Sequence, residues 1–194
     1  MIIPGRVALS RKVVTQLLSA EHQTQPCGID LTLKRIMTWS SPGTIDFDNQ
    51  RRKAAQTIEI PFQTDSKSNN AASGSAVSTK DCTKQPPETG SKPAGEFVDI
   101  SCGSYLVEFN ELVDMPLDLM GQILVRSSLF RSGALMNAGV MDSGYAGVVG
   151  AMLQVVNPHG LRLIRDAKLA QIVFHQMSEP VEGYSGVYQG RTFV

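Results

Sequence analysis

Residues 122–156 read QILVRSSLFRSGALMNAGVMDSGYAGVVGAMLQVV. Two short apolar runs, QILVRS and GVVGAMLQVV, enclose this stretch, and a polar turn and two glycine-containing corners lie between them. Short apolar runs separated by Gly, Asn and Asp are typical of β-strands joined by turns. The stretch therefore predicts strands and corners rather than a long helix.

The same pattern continues on both sides of this stretch. The further runs are IDLTLKRIMTW, TIEIPF, EFVDIS, YLVEF, LRLI and AQIVFHQM. Near the amino terminus, Ser10 precedes Val13, Val14, Leu17 and Leu18 at helical spacing, which predicts a short amphipathic helix capped by Ser10. We expect an all-β protein, a sandwich or barrel, with one short N-terminal helix.

The length of 194 residues and the hydrophobic content of 42% predict a single domain over residues 1–194. Residues 64–95 contain no aromatic side chain, and Val77 is their only large aliphatic residue. Such a segment cannot offset its ordering entropy by burial, so we interpret it as a flexible, low-complexity insertion within the domain. A linker between two domains is the alternative.

Charge and cysteine content limit the classes of partner. Lys plus Arg and Asp plus Glu number 18 each, so no overall positive field attracts nucleic acid or an anionic membrane. Three cysteines form neither an even disulfide set nor a close metal-binding pair, and the first residues lack a signal-peptide core. No apolar run approaches the ~20 residues of a membrane-spanning helix. We expect an intracellular, cytoplasmic protein, with a nuclear location left open.

The central stretch also predicts a ligand site. Arg126, Ser127 and Ser128 form a short turn in which a guanidinium, two hydroxyls and backbone N–H groups suit phosphate oxygens. The glycine-rich corners at 137–139 and 142–147 would let the backbone approach a flat ligand and hydrogen-bond its edge. This pattern indicates a phosphate next to a planar polar ring, and it does not yet define a reaction.

Four ordered motifs resemble those of the dUTPase and dCTP-deaminase superfamily. They are PCGIDLTL (26–33), VRSSLFR (125–131), NAGVMDSGYAG (137–147) and KLAQIVF (168–174). The N-terminal region and the tail YSGVYQG (184–190) resemble the deaminase branch and its bifunctional members. The resemblance covers most of the chain outside residues 40–95.

The resemblance implies a distorted β-barrel of the β-clip or jelly-roll type that forms a homotrimer, with each active site built from neighbouring subunits. It implies a deoxyribonucleoside triphosphate substrate, dUTP or dCTP, held with Mg²⁺. Asp142 would orient the attacking water, and Asp30 would lie near the metal, an indirect role. The implied substrate contacts are Arg126, Ser127, Ser128, Arg131, Asn137, Ala138, Gly139, Val140, Tyr145, Gln171, Tyr184 and Gln189.

The expected roles of these contacts differ. Arg126, Ser127 and Gln171 would contact the phosphates, and residues 137–140 would read the pyrimidine through their backbone. Tyr145 would pack under the deoxyribose and exclude a 2′-hydroxyl.

Two branches of the superfamily differ in chemistry. Deamination needs a general acid/base, which family deaminases supply as a glutamate on the strand after the tyrosine corner. Forward alignment places Met152 at that position and backward alignment places Gln154, so no carboxylate stands there. The strand is two residues longer than usual, which predicts a β-bulge. Arg131 and the tail favour the deaminase branch.

We expect dUTP hydrolysis to dUMP and pyrophosphate, since the loss of a proton shuttle abolishes deamination. A dCTP deaminase or bifunctional enzyme, and a catalytically weak nucleotide-binding paralogue, are the alternatives. Simpler interpretations also exist for single residues. Asp142 would cap a turn, Arg126 and Arg131 would be surface charges, Tyr145 would be ordinary packing, and Asp30 would face solvent from its strand.

Overall fold

The computed structural model of the protein describes residues 1–64 and 95–194. In these ranges the chain is built mainly of strands, and the predicted all-β fold with a short N-terminal helix is confirmed. The helices are α1 (Gly5–Ser10), α2 (Ala20–Gln23) and α3 (Ser127–Arg131). The strands are β1 (Ile2–Ile3), β2 (Val14–Thr15), β3 (Thr24–Gln25), β4 (Gly28–Trp39), β5 (Thr57–Ile60), β6 (Phe97–Ile100), β7 (Gly103–Asp114), β8 (Leu119–Val125), β9 (Ala134–Asn137), β10 (Ala146–Val155), β11 (Leu161–Ile164) and β12 (Lys168–Gln176).

Ten of these strands form one curled, half-barrel sheet with the path β1-β12-β4-β7-β10-β9. Strands β3 and β5 also pair with β4, β2 pairs with β7, and β8 pairs with β12. Strands β6 and β11 form a separate two-stranded sheet. The pairings are antiparallel, as expected for short strands joined by turns.

Strand β4 lies at the centre of the core. Ile29, Leu31 and Leu33 on it are fully buried, as are Phe109 of β7 and Phe174 of β12. All six residues at 28–33 are buried, so this part of β4 is covered on both faces of the curled sheet. This central strand also carries Asp30, whose surroundings are described below.

The helix predicted to begin at Ser10 is wrong. Helix α1 ends at Ser10, whose hydroxyl donates to the Val7 carbonyl at 2.9 Å. Lys12 then adopts a φ of 57°, which breaks helical geometry, and Val14 pairs with Val113 of β7. Because Val13 and Val14 are both buried, strand pairing at the sheet edge outweighs the weak helical periodicity.

The predicted insertion at 64–95 lies almost wholly outside the described residues. Its two ends are close together, because the backbones of Gln63 and Phe97 exchange hydrogen bonds of 2.7 and 2.8 Å. None of the helices in the described ranges is long and apolar enough to cross a bilayer.

Candidate active site

Three adjacent strands bring the first group of predicted site residues together. Strand β12 lies between β4 and β8, and Gln171 of β12 stands directly opposite Asp30 of β4. Arg126 follows β8, and its backbone N–H donates to the Leu169 carbonyl at 3.1 Å. The sheet register therefore places Asp30, Arg126 and Gln171 in one cluster.

Asp30 is the centre of this cluster, and its side chain is only 1% exposed. Its Oδ1 lies 3.3 Å from Nε of Arg126 and accepts a 3.5 Å hydrogen bond from Gln171. Its Oδ2 lies 3.4 Å from Nζ of Lys168 and accepts a 3.2 Å hydrogen bond from Gln25. The alternative that Asp30 is a solvent-facing strand residue is therefore wrong.

Lys168 is a site residue that sequence analysis missed. It lies three positions before Gln171, and an odd spacing in a regular strand places two side chains on opposite faces. The register shifts at Leu169, because Lys168 pairs with Thr32 and Ala170 pairs with Leu31. This one-residue β-bulge brings Lys168 to the face of Asp30 and Gln171. The sequence KLAQIVF contains no residue pattern that predicts the bulge.

A buried polar network supports β4 directly behind the cluster. Glu111 of β7 is fully buried and accepts hydrogen bonds from the Thr32 backbone N–H at 2.9 Å and the Gln23 side chain at 2.5 Å. The same Gln23 amide donates to the Asp30 carbonyl at 2.9 Å. Burial raises the pKa of Glu111, and the hydrogen bonds from Thr32 and Gln23 oppose that rise. The network fixes the backbone of β4 at Asp30.

The remaining predicted phosphate contacts lie on α3, beside Arg126. Ser127, Ser128 and Arg131 are exposed, and their side chains make no hydrogen bond or ion pair within the described ranges. Their hydroxyl and guanidinium groups are therefore open to solvent and to a ligand.

A second group of predicted residues lines a separate cleft of about 1170 Å³. Residues 137–142, Tyr145 and Tyr184 form part of its wall. The tip of the hairpin, Ala138 to Val140, is exposed, and a methyl group added at Gly139 would meet nothing within 4 Å. Asp30, Arg126, Lys168 and Gln171 do not line the cleft. The cluster of these four residues is named the phosphate cluster after its predicted ligand. Within one chain the phosphate cluster and the cleft are thus two distinct surfaces.

Tyr145 is fixed in the wall of this cleft. Its hydroxyl donates to the Val148 carbonyl at 2.7 Å, and its ring meets Tyr184 edge-on, with centroids 5.7 Å apart. A side chain at Gly147 would come within 2.9 Å of the Tyr145 hydroxyl, so glycine is needed there. Burial, together with Tyr184, raises the pKa of Tyr145. The ring is a rigid, neutral surface.

Asp142 lies at the start of the turn before Tyr145. The turn closes through its backbone, since the Tyr145 N–H donates to the Asp142 carbonyl at 3.2 Å. The Gly144 N–H donates to Met115 at 2.8 Å, so the Asp142 carboxylate is not required as a cap. That carboxylate is exposed at the cleft and has no partner among the described residues. Asp142 is the only Asp or Glu in the described lining.

The C-terminal tail folds back along the cleft. Gln189 donates to the Gly144 carbonyl at 2.9 Å and accepts from the Ala146 N–H at 3.2 Å, so its amide holds the tail to the tyrosine corner. Val194 donates its N–H to the buried Glu108 at 2.9 Å. Burial acts to raise the pKa of Glu108, but hydrogen bonds from Lys34, Val194 and Arg35 outweigh it and lower that pKa.

The comparison with protein families decides the assignment. A family model described as dCTP deaminase-like matches residues 5–177. The chain belongs to the dCTP deaminase-like family. The predicted superfamily is thus confirmed.

Relatives that are similar in sequence to this chain are named for a different activity. A probable deoxyuridine 5'-triphosphate nucleotidohydrolase of Methanosarcina acetivorans is 36% identical over 170 residues, which cover 87% of this chain and 82% of the relative. The deoxyuridine 5'-triphosphate nucleotidohydrolase of Methanocaldococcus jannaschii is 33% identical over 171 residues, covering 88% and 90%.

The fold is shared with the crystal structure of 2'-deoxycytidine 5'-triphosphate deaminase from Agrobacterium tumefaciens. The TM-score is 0.53 at 17% sequence identity, with 89% of this chain covered. The chain spans 47% of the length of that deaminase chain.

The structure separates the two positions considered for the deaminase glutamate. Met152 pairs with Asn137 and lines the cleft, whereas Gln154 is exposed and does not line it. The side chain that faces the cleft at this point is therefore a thioether, which cannot transfer protons.

The irregularity predicted in this strand is present, but its place was wrong. Val148 pairs with Leu112 and Gly150 pairs with Glu108. One residue of β10 therefore faces three of β7, at 109–111, so the extra residues belong to β7.

Proposed function

We propose that the protein is a dUTP diphosphatase that hydrolyses dUTP to dUMP and pyrophosphate. One observation carries the proposal: in the described lining of the cleft, Asp142 is the only Asp or Glu, and neither position considered for the deaminase glutamate, Met152 or Gln154, carries a carboxylate. The described lining can orient a water for hydrolysis but offers no second carboxylate to move protons on a pyrimidine ring, as the family deaminases require. The names of the relatives from Methanosarcina acetivorans and Methanocaldococcus jannaschii support the same activity.

The proposed step is a displacement at the α-phosphorus. Asp142 accepts a hydrogen bond from water, whose oxygen forms a bond to the α-phosphorus. The bond from that phosphorus to the bridging α–β oxygen breaks, and pyrophosphate leaves with the electron pair. The proton of the water passes to Asp142 and then to solvent. Positioning supplies most of the catalysis, so no covalent nucleophile is needed.

The cleft residues orient the nucleoside in this proposal. The exposed backbone at 137–140 reads the pyrimidine, and the ring of Tyr145 packs under the deoxyribose. Because hydrogen bonding and Gly147 fix that ring, it cannot move away from a 2′-hydroxyl. The preference for deoxynucleotides therefore follows from steric exclusion.

The phosphate cluster is completed by another copy of the chain in this proposal. Arg126 and Gln171 lie on a surface distinct from the cleft, although one triphosphate must touch both. A cyclic trimer in which the cluster of one subunit faces the cleft of the next resolves this separation. We therefore propose a homotrimer with sites shared between subunits.

Direct coordination of Mg²⁺ by Asp30 does not fit the structure. Both carboxylate oxygens of Asp30 already face cations and amides, and the side chain is 1% exposed. No group of three or more His, Cys, Asp or Glu in the described ranges is placed to hold a metal. We therefore propose that Mg²⁺ is bound mainly by the phosphates of the substrate, whose negative charge the ion would neutralise.

Separate product assays test the function. The purified protein is incubated with dUTP or dCTP and Mg²⁺, and pyrophosphate and ammonia are measured independently. We expect pyrophosphate from dUTP and no ammonia from dCTP. Ammonia release would support the deaminase or bifunctional enzyme that Arg131 and the tail favour. Nucleotide binding without either product would support the inactive paralogue.

A further inference from the structure

The charges of the phosphate cluster do not cancel. One buried carboxylate, Asp30, faces two cations, Arg126 and Lys168, at 3.3 and 3.4 Å. The cluster therefore has an excess positive charge among the groups in contact. Since Asp30 is 1% exposed while the cations are 32% and 30% exposed, the positive side of the cluster is the one that faces solvent.

Both cations keep donors for a ligand. Arg126 contacts Asp30 through Nε, and its two terminal nitrogens have no partner in the described part of the chain. Lys168 donates to the His22 carbonyl and lies beside Asp30, which leaves one of its three donors. Two cations that share one buried counter-ion are held apart at a fixed spacing, a good arrangement for a chain of phosphates.

The β-bulge at Leu169 creates this arrangement. In a regular strand of the same length, Lys168 would lie on the opposite face from Gln171, three positions away. The bulge lies at the point of the strand where it brings the Lys168 ammonium to Asp30, which already contacts the Arg126 guanidinium.

We propose that Lys168 is a second phosphate-binding cation of the active site, and that Asp30 is a positioning residue that orients Lys168 and Arg126 rather than a metal ligand. The proposal rests on the proposed function for the identity of the nucleotide. It does not rest on it for the class of ligand, an oligophosphate.

Binding measurements with matched variants test the proposal. Lys168→Gln is compared with Lys12→Gln, which removes the same charge from an exposed residue outside the site. Calorimetry is performed with the α,β-imido analogue of dUTP, with dUMP and with inorganic tripolyphosphate. We expect Lys168→Gln to lower the affinity for the imido analogue and for tripolyphosphate by about 10-fold or more. The affinity for dUMP should fall by less than about 3-fold. Equal affinities in the two variants would overturn the role of Lys168.

Asp30→Asn tests the second part, because it keeps the shape of the side chain and removes its charge. We expect weaker binding of the imido analogue, with an unchanged Mg²⁺ concentration for half-maximal binding. A rise of about 10-fold in that concentration would identify Asp30 as a metal ligand and contradict the proposal.

The two proposals fail in different ways. The protein could fail to hydrolyse dUTP and still bind tripolyphosphate in a way that depends on Lys168. That result would refute the diphosphatase function and support the phosphate-binding role of Lys168. If Asp30→Asn does not fold, it is replaced by Gln25→Ala, because Gln25→Ala removes a hydrogen bond to Asp30. The Mg²⁺ dependence of nucleotide binding by Gln25→Ala then tests the role of Asp30, and the Lys168 comparison tests the role of Lys168. An increased Mg²⁺ requirement in Gln25→Ala would count against the positioning role.

Discussion

Asp142 is held at the cleft by its backbone, while its carboxylate has no partner within residues 1–64 and 95–194. A carboxylate that were a turn cap would accept hydrogen bonds from the N–H groups that follow it. In this turn the Gly144 N–H is taken by Met115, so the side chain is left for another purpose. Local sequence alone does not distinguish the two cases, since Asp-Ser-Gly suits both.

Asp142→Asn is the corresponding test. The substitution keeps the shape of the side chain and removes the charge that activates the water in the proposed mechanism. We expect kcat for dUTP to fall by ~10²-fold or more with KM little changed, since the interaction is made mainly in the transition state. Asp48→Asn on an exposed loop is the control. A kcat within a few fold of that of the parent enzyme would show that Asp142 is a turn residue without a catalytic role.

Met152→Glu tests whether the lack of a carboxylate at this place in the cleft prevents deamination. A carboxylate introduced there would enter the cleft beside Asn137. We expect measurable ammonia release from dCTP in this variant and none in the control Gln154→Glu, whose side chain is exposed outside the cleft. Ammonia release already present in the unmodified protein would show that another group moves the proton.

Glu108→Gln tests the anchor of the tail. Because the pKa of Glu108 is lowered, its stabilisation is present above the ordinary glutamate pKa and is lost as pH falls through the depressed value. We expect the variant to be about 2 kcal/mol less stable at neutral pH, since Lys34 and Arg35 lose a buried partner. In urea unfolding this difference should shrink towards low pH. Glu59→Gln, at an exposed site, should show little change at any pH.

At the level of elements, the long strands were predictable and their irregularities were not. Alternating or continuous apolar runs such as IDLTLKRIMTW announce a strand by composition. A bulge depends on which residue of the neighbouring strand is paired. The register shifts at Leu169 and opposite Val149 can therefore not be predicted from the local sequence. The same limit explains the misplaced helix, where pairing with β7 decides the structure of Val14.

The backbone pair of Gln63 and Phe97 gives a prediction about the segment between them. Replacement of residues 65–94 by a short Gly/Ser connector should preserve folding and dUTP hydrolysis, because the two ends already lie side by side. Lengthening a loop costs only ~0.6 kcal/mol per doubling, so the change in stability should be small. Thermal unfolding and the pyrophosphate assay check this. Loss of folding would show that the segment contributes to the core.

At the level of the whole molecule, the separation of cluster and cleft is the main constraint. In the proposed function the cleft holds the base and the sugar and the phosphate cluster holds the phosphates, so one chain does not bring both parts of the site together. Light scattering should therefore detect a trimer, and a stable monomer of 21.0 kDa at micromolar concentration would contradict the shared site.

Subunit mixing tests the shared site directly. Arg126→Ala and Asp142→Asn are each expected to be nearly inactive as pure proteins. After joint refolding in equal amounts, roughly a quarter of the sites would combine an intact Arg126 with an intact Asp142 from a neighbour. Activity should recover accordingly. No recovery would mean that both residues act within one chain.

The bulge at Leu169 also determines which changes in length the gene can tolerate. Loss of the Leu169 codon would remove the extra residue and place the lysine two positions before Gln171, still on the same face of a regular strand. A strand of unchanged length that lost the bulge would instead turn Lys168 to the opposite face. Homologues that keep the cluster should therefore carry a basic residue either three positions before the glutamine with a bulge or two positions before it without one. Insertions and deletions should accumulate between Gln63 and Phe97, where the chain leaves and re-enters at nearly the same point.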